Sequence, residues 1–120
     1  MNRHLVAAVD DMFFAAKIRG TAEQLGVGVE FARSPEGLFE AVRREAPQLI
    51  IFDLHAQRCD PFAAAERLKA DERTRGIPLV GFFSHVQTGL ERRAESSGFD
   101  WVMPRSAFTQ KLPAILRGEL

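Results

Sequence analysis

The segment Gln48-Leu-Ile-Ile-Phe-Asp-Leu54 decides the fold, because it is a short apolar run that ends on a carboxylate, Asp53. It follows Pro47 and precedes the more polar segment 55–60, so it has the length and boundaries of a strand buried on both faces. Such strands are typical of parallel sheets, in which ligands bind beyond the carboxyl ends of the strands. The sequence therefore predicts a central strand that places Asp53 at the edge of a sheet.

A second apolar segment, residues 5–9, also ends on carboxylates, Asp10 and Asp11. If the two strands are neighbours, these acids meet Asp53 in one crevice. Carboxylates about 4 Å apart repel by roughly 4 kcal/mol at an effective dielectric of about 20, so the cluster needs protonation or a cation. Hard oxygen ligands at an open edge suit Mg²⁺. The alternative is that Asp10 and Asp11 only cap a following helix, a role that aspartate favours.

The remaining sequence alternates between predicted strands and helices joined by short loops. We expect the five strands within segments 5–9, 27–33, 48–54, 76–84 and 99–103. Such an alternation indicates right-handed βαβ units and a parallel sheet covered by helices on both faces. The helices are indicated by apolar stripes and end signals, as follows: Phe14, Ile18, Ala22 and Leu25 before Gly26; Ser34-Pro35, then Leu38 and Val42, ending by Ala46; Asp60-Pro61, then Phe62, Ala65 and Leu68; Val86, Leu90 and Ala94, closing at Ser97-Gly98; and Phe108, Leu112, Ile115 and Leu116.

The last helix contains a proline, Pro113, which lacks the backbone donor that a helix interior uses. We therefore expect its regular part to start late, near Leu112, after a loose turn.

Length and composition limit the number of domains and the kinds of partner that we expect for this chain. The chain has 120 residues, which predicts one domain spanning 1–120 without an output domain. Its 16 basic and 16 acidic residues cancel, so no nucleic acid or membrane partner is expected. The single cysteine, Cys59, cannot form an intrachain disulfide, and the first residues offer neither a signal peptide nor a membrane span. We expect a cytoplasmic protein.

Over essentially the whole chain, the order and spacing of these elements resemble the receiver domain of bacterial two-component response regulators. The matching features are Asp10-Asp11 after the first strand, Asp53 after the third, Ile77-Pro78 opening the fourth, a hydroxyl at its end, and Gly98 before the fifth. The resemblance implies an α/β fold: a flavodoxin-like (βα)5 three-layer sandwich with a parallel sheet of five strands in the order 2-1-3-4-5.

The resemblance also implies a function. Asp53 would accept a phosphoryl group from a histidine kinase or phosphotransfer protein. Mg²⁺ would be held by Asp10, Asp11, Asp53 and the backbone carbonyl of His55. Phosphorylation would then change the binding of a downstream protein at the surface made by helix four, strand five and helix five.

The basic residue of the family is altered. Receivers carry a lysine after strand five, followed by a proline, whereas an ungapped count places Arg105 and Ser106 at these positions. A two-residue deletion would instead align Met103-Pro104 and leave no cation. We prefer the ungapped alignment because it keeps a positive charge beside the acids, although the planar guanidinium of arginine is not equivalent to an ammonium.

Two further positions depart from the family. The ungapped count places Phe83 at its Ser/Thr position, and we expect Ser84 to take that role if strand four is bulged or ends one residue late. Val102 occupies the position of the family's aromatic switch residue on strand five. The pattern thus predicts a nearly complete phosphorylation site without the usual relay to the output surface.

Three functions therefore stay open. The leading hypothesis is a stand-alone response regulator in a phosphorelay, with Asp53, Ser84 and Arg105 at the phosphorylation site and Mg²⁺ as cofactor. The alternative is a pseudo-receiver, which keeps the fold as a phosphorylation-independent protein-interaction module. A Mg²⁺-dependent phosphohydrolase is permitted by the acids, but no separate acid–base pair or substrate-enclosing lid is evident, so we do not predict an enzyme.

Overall fold

The computed structural model describes residues 3–85 and 87–120. Val86, which the sequence places on the apolar stripe of the fourth helix, lies outside the described residues. The elements, in chain order, are β1 (His4–Ala8), α1 (Met12–Leu25), β2 (Gly28–Phe31), α2 (Pro35–Arg44), β3 (Ile50–Asp53), α3 (Pro61–Ala70), β4 (Leu79–Phe83), α4 (Leu90–Ser97), β5 (Trp101–Pro104) and α5 (Arg105–Arg117).

The five strands form one parallel sheet in the order β2-β1-β3-β4-β5. One apolar core joins the sheet to α1 and α5, and a second joins its other face to α2, α3 and α4. The predicted (βα)5 three-layer sandwich and its strand order are therefore confirmed. Within the described part of the chain, no helix is both long and apolar enough to cross a membrane.

The apolar residues of the central strand β3 are buried on both faces of the sheet. Ile50, Ile51 and Phe52 are 0% exposed, with Ile51 in the α1/α5 core and its two neighbours in the opposite core. Since alternate residues of a strand point to opposite faces, this apolar run fills both cores at once. The strand therefore cannot slip by one residue without exchanging the sides of all its side chains, and the position of Asp53 at its end is fixed.

The predicted helix signals occur where expected. The side chain of Ser34 caps α2 by accepting a hydrogen bond from the N–H of Gly37, and Asp60 caps α3 by accepting from Phe62 and Ala63. Proline occupies the first helical position in both cases. Such caps satisfy donors that have no partner inside the helix, so these local sequences determine where the two helices begin.

The predicted start of the last helix was wrong. Helix α5 begins at Arg105 and continues through Pro113 without interruption. Phe108 and Leu112 before the proline, and Ile115 and Leu116 after it, are all essentially fully buried. A proline inside a helix costs about 3 kcal/mol, whereas burying each large apolar side chain contributes roughly 1.5–3 kcal/mol. Packing on both sides of Pro113 therefore outweighs the missing donor.

Strand ends also differ from the prediction by a few residues. Strand β4 begins at Leu79 and not at Gly76, because Pro78 has no N–H, although its carbonyl still accepts a hydrogen bond from Ile50 at 3.0 Å. Strand β5 runs two residues later than predicted at its start and one residue later at its end. The register of β4 with both neighbours is continuous, so the bulge that we considered near Ser84 is absent from this strand.

The packing around Gly81 on β4 generates a test of the fold. A Cβ atom at Gly81 would lie 2.8 Å from Leu54 Cδ2 and 3.1 Å from Phe99 Cδ1, both of which belong to buried side chains. We expect Gly81→Ala to lower the free energy of unfolding by about 1–3 kcal/mol through overpacking. The matched control is Gly20→Ala on α1, where a Cβ would meet no atom within 4 Å. Because alanine favours helix, this control should raise stability by roughly 0.5–1 kcal/mol.

Chemical denaturation measures the free energy of unfolding of both variants. Equal effects of the two substitutions would contradict the close packing of Leu54 and Phe99 around Gly81.

Candidate functional site

The acids gather at the carboxyl edge of the sheet because of strand register. Strands β1 and β3 are parallel neighbours in which Ala8 pairs with Phe52. Asp53 follows Phe52 directly, and Asp10 follows Ala8 by two residues. Both carboxylates therefore lie at the same edge of the sheet, as the sequence predicts.

Asp53 is partly buried at the end of β3. Its Oδ1 accepts a hydrogen bond from the backbone N–H of His55 at 2.9 Å. Burial raises the pKa of Asp53 above its usual value, and it outweighs the opposing influence of that N–H and of the charge on His55. Asp10 also raises this pKa, while Arg105 lowers it. Asp53 thus lies within electrostatic range of one acid and one cation.

Asp10 joins two loops at this edge. Its Oδ2 accepts hydrogen bonds from the backbone N–H groups of Gln57 at 2.8 Å and Arg58 at 3.4 Å. The loop after β3 is therefore fixed to the loop after β1. This role could not be predicted from the sequence, because the hydrogen-bond donors are backbone groups 47 and 48 residues away.

Asp11 caps α1, as the alternative interpretation of the Asp10-Asp11 pair proposes. Its Oδ1 accepts hydrogen bonds from the N–H groups of Phe13 at 2.9 Å and Phe14 at 3.1 Å. Its Oδ2 accepts from the guanidinium of Arg105 at 2.9 Å. The pKa of Asp11 is lowered, chiefly by the N–H of Phe14 and also by Arg105. This carboxylate is therefore stabilised in its charged form without a metal ion.

Arg105 is the first residue of α5 and lies among the acids. In addition to its bond with Asp11, its guanidinium carbon lies 4.3 Å from the centre of the Phe14 ring, a cation–π contact that orients the guanidinium plane. Met103, by contrast, is buried in the α1/α5 core. These positions agree with the ungapped alignment to receiver domains, which places Arg105 beside the acids.

Ser84 lies just beyond the end of β4 and is exposed. Its hydroxyl makes no hydrogen bond with any residue in the described ranges. The neighbouring Phe83 is buried in the core formed with α2, α3 and α4. The structure therefore does not bring the Ser84 hydroxyl into contact with the acids.

The residues fit Mg²⁺ only in part. No group of three or more His, Cys, Asp or Glu side chains suited to a metal ion occurs within residues 3–85 and 87–120. Asp11 is occupied by the helix cap and by Arg105. Asp10 and Asp53 each use one carboxylate oxygen in hydrogen bonds to backbone N–H groups, and the second oxygen of each accepts none from the described residues. The donor set that remains consists of these two oxygens and the carbonyl of His55, which are hard ligands of the kind that Mg²⁺ prefers.

Three other residues lie near this edge: His55, His85 and Cys59. The N–H of His85 donates to Nε2 of His55 at 3.3 Å, and the two rings are 5.5 Å apart between centres. The thiol of Cys59 is buried, and burial raises its pKa to about 11, so it is protonated and a poor nucleophile at neutral pH.

Comparison with known proteins relates this arrangement to one fold. No protein-family model matches the chain, and no curated protein sequence matches it. Among solved structures, a putative response regulator from Chloroflexus aurantiacus is 16% identical with a TM-score of 0.86, covering 99% of this chain and 98% of the other. Chemotaxis response regulator CheY4 of Vibrio cholerae is 13% identical with a TM-score of 0.84, covering 100% of both chains.

A third structure is the receiver domain of sensor histidine kinase PA1611 from Pseudomonas aeruginosa, which is described with a magnesium ion coordinated in its active site cleft. It is 16% identical with a TM-score of 0.80, covering 98% of this chain and 99% of that domain. Identities this low establish a shared fold and not a shared activity. The chain therefore has the fold of response regulator receiver domains.

Proposed function

We propose that this domain acts as a response regulator receiver in a cytoplasmic phosphorelay, with Asp53 as the phosphoacceptor. The observation that carries this proposal is the position of Asp53: a half-buried carboxylate at the end of the central strand, near Asp10 and Arg105, with one oxygen that accepts no hydrogen bond from the described residues. The hydrogen bond from the N–H of His55 fixes the other oxygen. That bond orients the free oxygen for attack on an incoming phosphorus atom.

In the transfer, the free oxygen of Asp53 forms a bond to phosphorus while the bond from phosphorus to a histidine nitrogen of the donor breaks. Mg²⁺ bound at Asp10, Asp53 and the carbonyl of His55 would supply charge neutralisation at the transferring group. The donor would be a histidine kinase or phosphotransfer protein. The downstream partner would bind the surface of α4, β5 and α5. Phosphorylation would shift the equilibrium between two conformations of this surface.

A specific observation supports the pseudo-receiver as the second candidate. The guanidinium of Arg105 already pairs with Asp11, so one of the three carboxylates expected to bind the metal has an internal counter-ion. In addition, β5 carries Val102 in place of an aromatic switch residue, and the adjacent Trp101 is 37% exposed. A protein-interaction module that keeps the fold without using phosphate needs neither a complete metal site nor a switch.

The phosphoacceptor role predicts a covalent adduct. A small acyl phosphate with Mg²⁺ should add one phosphoryl group to the protein, visible by intact mass spectrometry and labile to base. Asp53→Asn should abolish the adduct because an amide oxygen is a poor nucleophile. Asp71→Asn is the matched control, since Asp71 lies in the loop after α3, bonded to Arg73.

The outcomes separate the three functions. Magnesium uptake without an adduct from any phosphodonor would favour the pseudo-receiver. Sustained turnover of a phosphate ester that requires Asp53 would favour an enzyme. An adduct that persists in Asp53→Asn would move the acceptor to another residue.

The raised pKa of Asp53 predicts how its replacement changes stability. A carboxylate with a raised pKa in the folded state stabilises the fold at pH values below its unfolded pKa, and this contribution is lost as the pH rises through the folded pKa. At pH 7, Asp53→Asn should therefore unfold at a temperature higher by a few degrees. The gain should shrink as the pH falls through the raised folded pKa and should vanish below about 4, where the unfolded carboxyl is also protonated. Thermal unfolding monitored by circular dichroism tests this, with exposed Glu23→Gln as the control. A gain that does not depend on pH would contradict the electrostatic cause.

The pairing of Arg105 with Asp11 predicts that the arginine weakens metal binding. Arg105→Ala should release the Asp11 carboxylate and raise Mg²⁺ affinity up to about fivefold, since a partly exposed ion pair contributes at most about 1 kcal/mol. Isothermal titration calorimetry measures the affinity. Arg105→Lys should change it less because the positive charge is kept. Unchanged affinity in Arg105→Ala would show that Asp11 takes no part in binding the ion.

A further inference from the structure

A small cleft lies beside the acid site, between the loops that follow β1, β2 and β3. Its volume is about 150 Å³, and its rim carries three arginines: Arg19 from α1, Arg33 after β2 and Arg58 after β3. Asp10 is the one acid in the lining. Three distant parts of the sequence thus contribute an arginine to the lining of one cleft.

None of these three arginines forms a salt bridge with a carboxylate elsewhere in the described ranges. Three positive charges against one negative charge leave the lining at +2, whereas the whole chain has a net charge of zero. Asp10 also has its Oδ2 bonded to two backbone N–H groups, which reduces the repulsion it would exert on an anion. The cleft is therefore a local concentration of positive charge that the protein compensates only in part.

The shape of the cleft restricts what it can bind. Apolar groups including Val9 and Ala32 line its interior, and the guanidinium of Arg19 is held 4.7 Å from the centre of the Phe31 ring. Pockets for drug-sized ligands and cofactors usually measure about 300–1,000 Å³, so this cleft is too small for a nucleotide. Guanidinium groups match the oxygens of phosphate in geometry, because each presents two parallel N–H donors.

We propose that the cleft bounded by Arg19, Arg33 and Arg58 binds a compact oxyanion of the phosphate class. The ligand is either free inorganic phosphate or the phosphate group of a phosphorylated side chain on a partner protein. Asp10 lies in the lining of this cleft and in the acid site, so a bound anion contacts the loop that helps to form the acid site. This site is separate from the phosphoacceptor and does not depend on phosphorylation of Asp53.

Nuclear magnetic resonance of the ¹⁵N-labelled full chain tests the proposal with inorganic phosphate as the probe. Sodium chloride at matched ionic strength is the control, because exposed charges also respond to screening. We expect saturable shifts confined to the amides around residues 32–33 and 57–58. The double variant Arg33→Gln, Arg58→Gln should lower phosphate affinity by roughly tenfold or more, since hydrogen bonds to charged groups are about twice as strong as neutral ones.

Two single variants serve as controls. One tests whether any exposed arginine affects phosphate binding, and the other tests whether phosphate binding depends on the proposed phosphoacceptor. Arg43→Gln, on the exposed face of α2 and outside the cleft, should leave phosphate affinity unchanged. Asp53→Asn should keep phosphate binding even though it loses the covalent adduct, so the two proposals fail independently. Shifts spread evenly over the surface, or equal affinity in the double variant and native protein, would overturn the site.

A second titration identifies the source of the anion. A phosphoserine peptide that shifts the same amides and competes with inorganic phosphate would assign the site to a phosphorylated partner. Phosphate binding without peptide binding would assign it to the free ion. Binding of neither probe would refute the proposal.

Discussion

The complete burial of β3 between two cores is the constraint on which the rest of the molecule depends. Ile51 fills one core, while Ile50 and Phe52 fill the other, so neither the position nor the register of the strand can change cheaply. Asp53 is the next residue, and it is brought to the edge of the sheet as a consequence of that packing. A desolvated carboxylate in this position costs free energy, which the hydrophobic contacts of its own strand offset.

The three carboxylates near this edge are neutralised to different extents. Asp11 has a helix N-terminus and Arg105 to neutralise it, and Asp10 has two backbone N–H groups. Asp53 has one N–H and a raised pKa, so it is the acid that gains most from a cation or a proton. The acid with the least compensated charge therefore directly follows the buried residues 50–52 of β3. This difference sets the electrostatic environment of Asp53 apart from those of Asp10 and Asp11.

The sequence determines the fold more completely than it determines the site. Periodicity, caps and terminal glycines are local signals, so all five strands and the beginnings of α2 and α3 follow from the sequence. Pro113 shows the limit of local reasoning, because distant packing against α1 and the sheet keeps α5 helical across it. At the site, the ends of the predicted strands indicate that Asp10 and Asp53 lie near one edge, and the resemblance to receiver domains adds Arg105. It does not predict which hydrogen bonds each carboxylate forms, because the donors are backbone groups of separate loops.

The contacts of Arg105 bear on the proposed function, in which this arginine takes the place of the lysine of receiver domains. A lysine ammonium on a flexible stem can turn toward a new negative charge, whereas Arg105 is fixed by Asp11 on one side and by the Phe14 ring on the other. To contact a phosphoryl group on Asp53, the guanidinium would have to leave at least one of these partners. Phosphorylation would then release Asp11 from its ion pair, and the start of α5 would respond together with the start of α1. Under the proposed function, Arg105 would in this way connect Asp53 to the starts of α1 and α5.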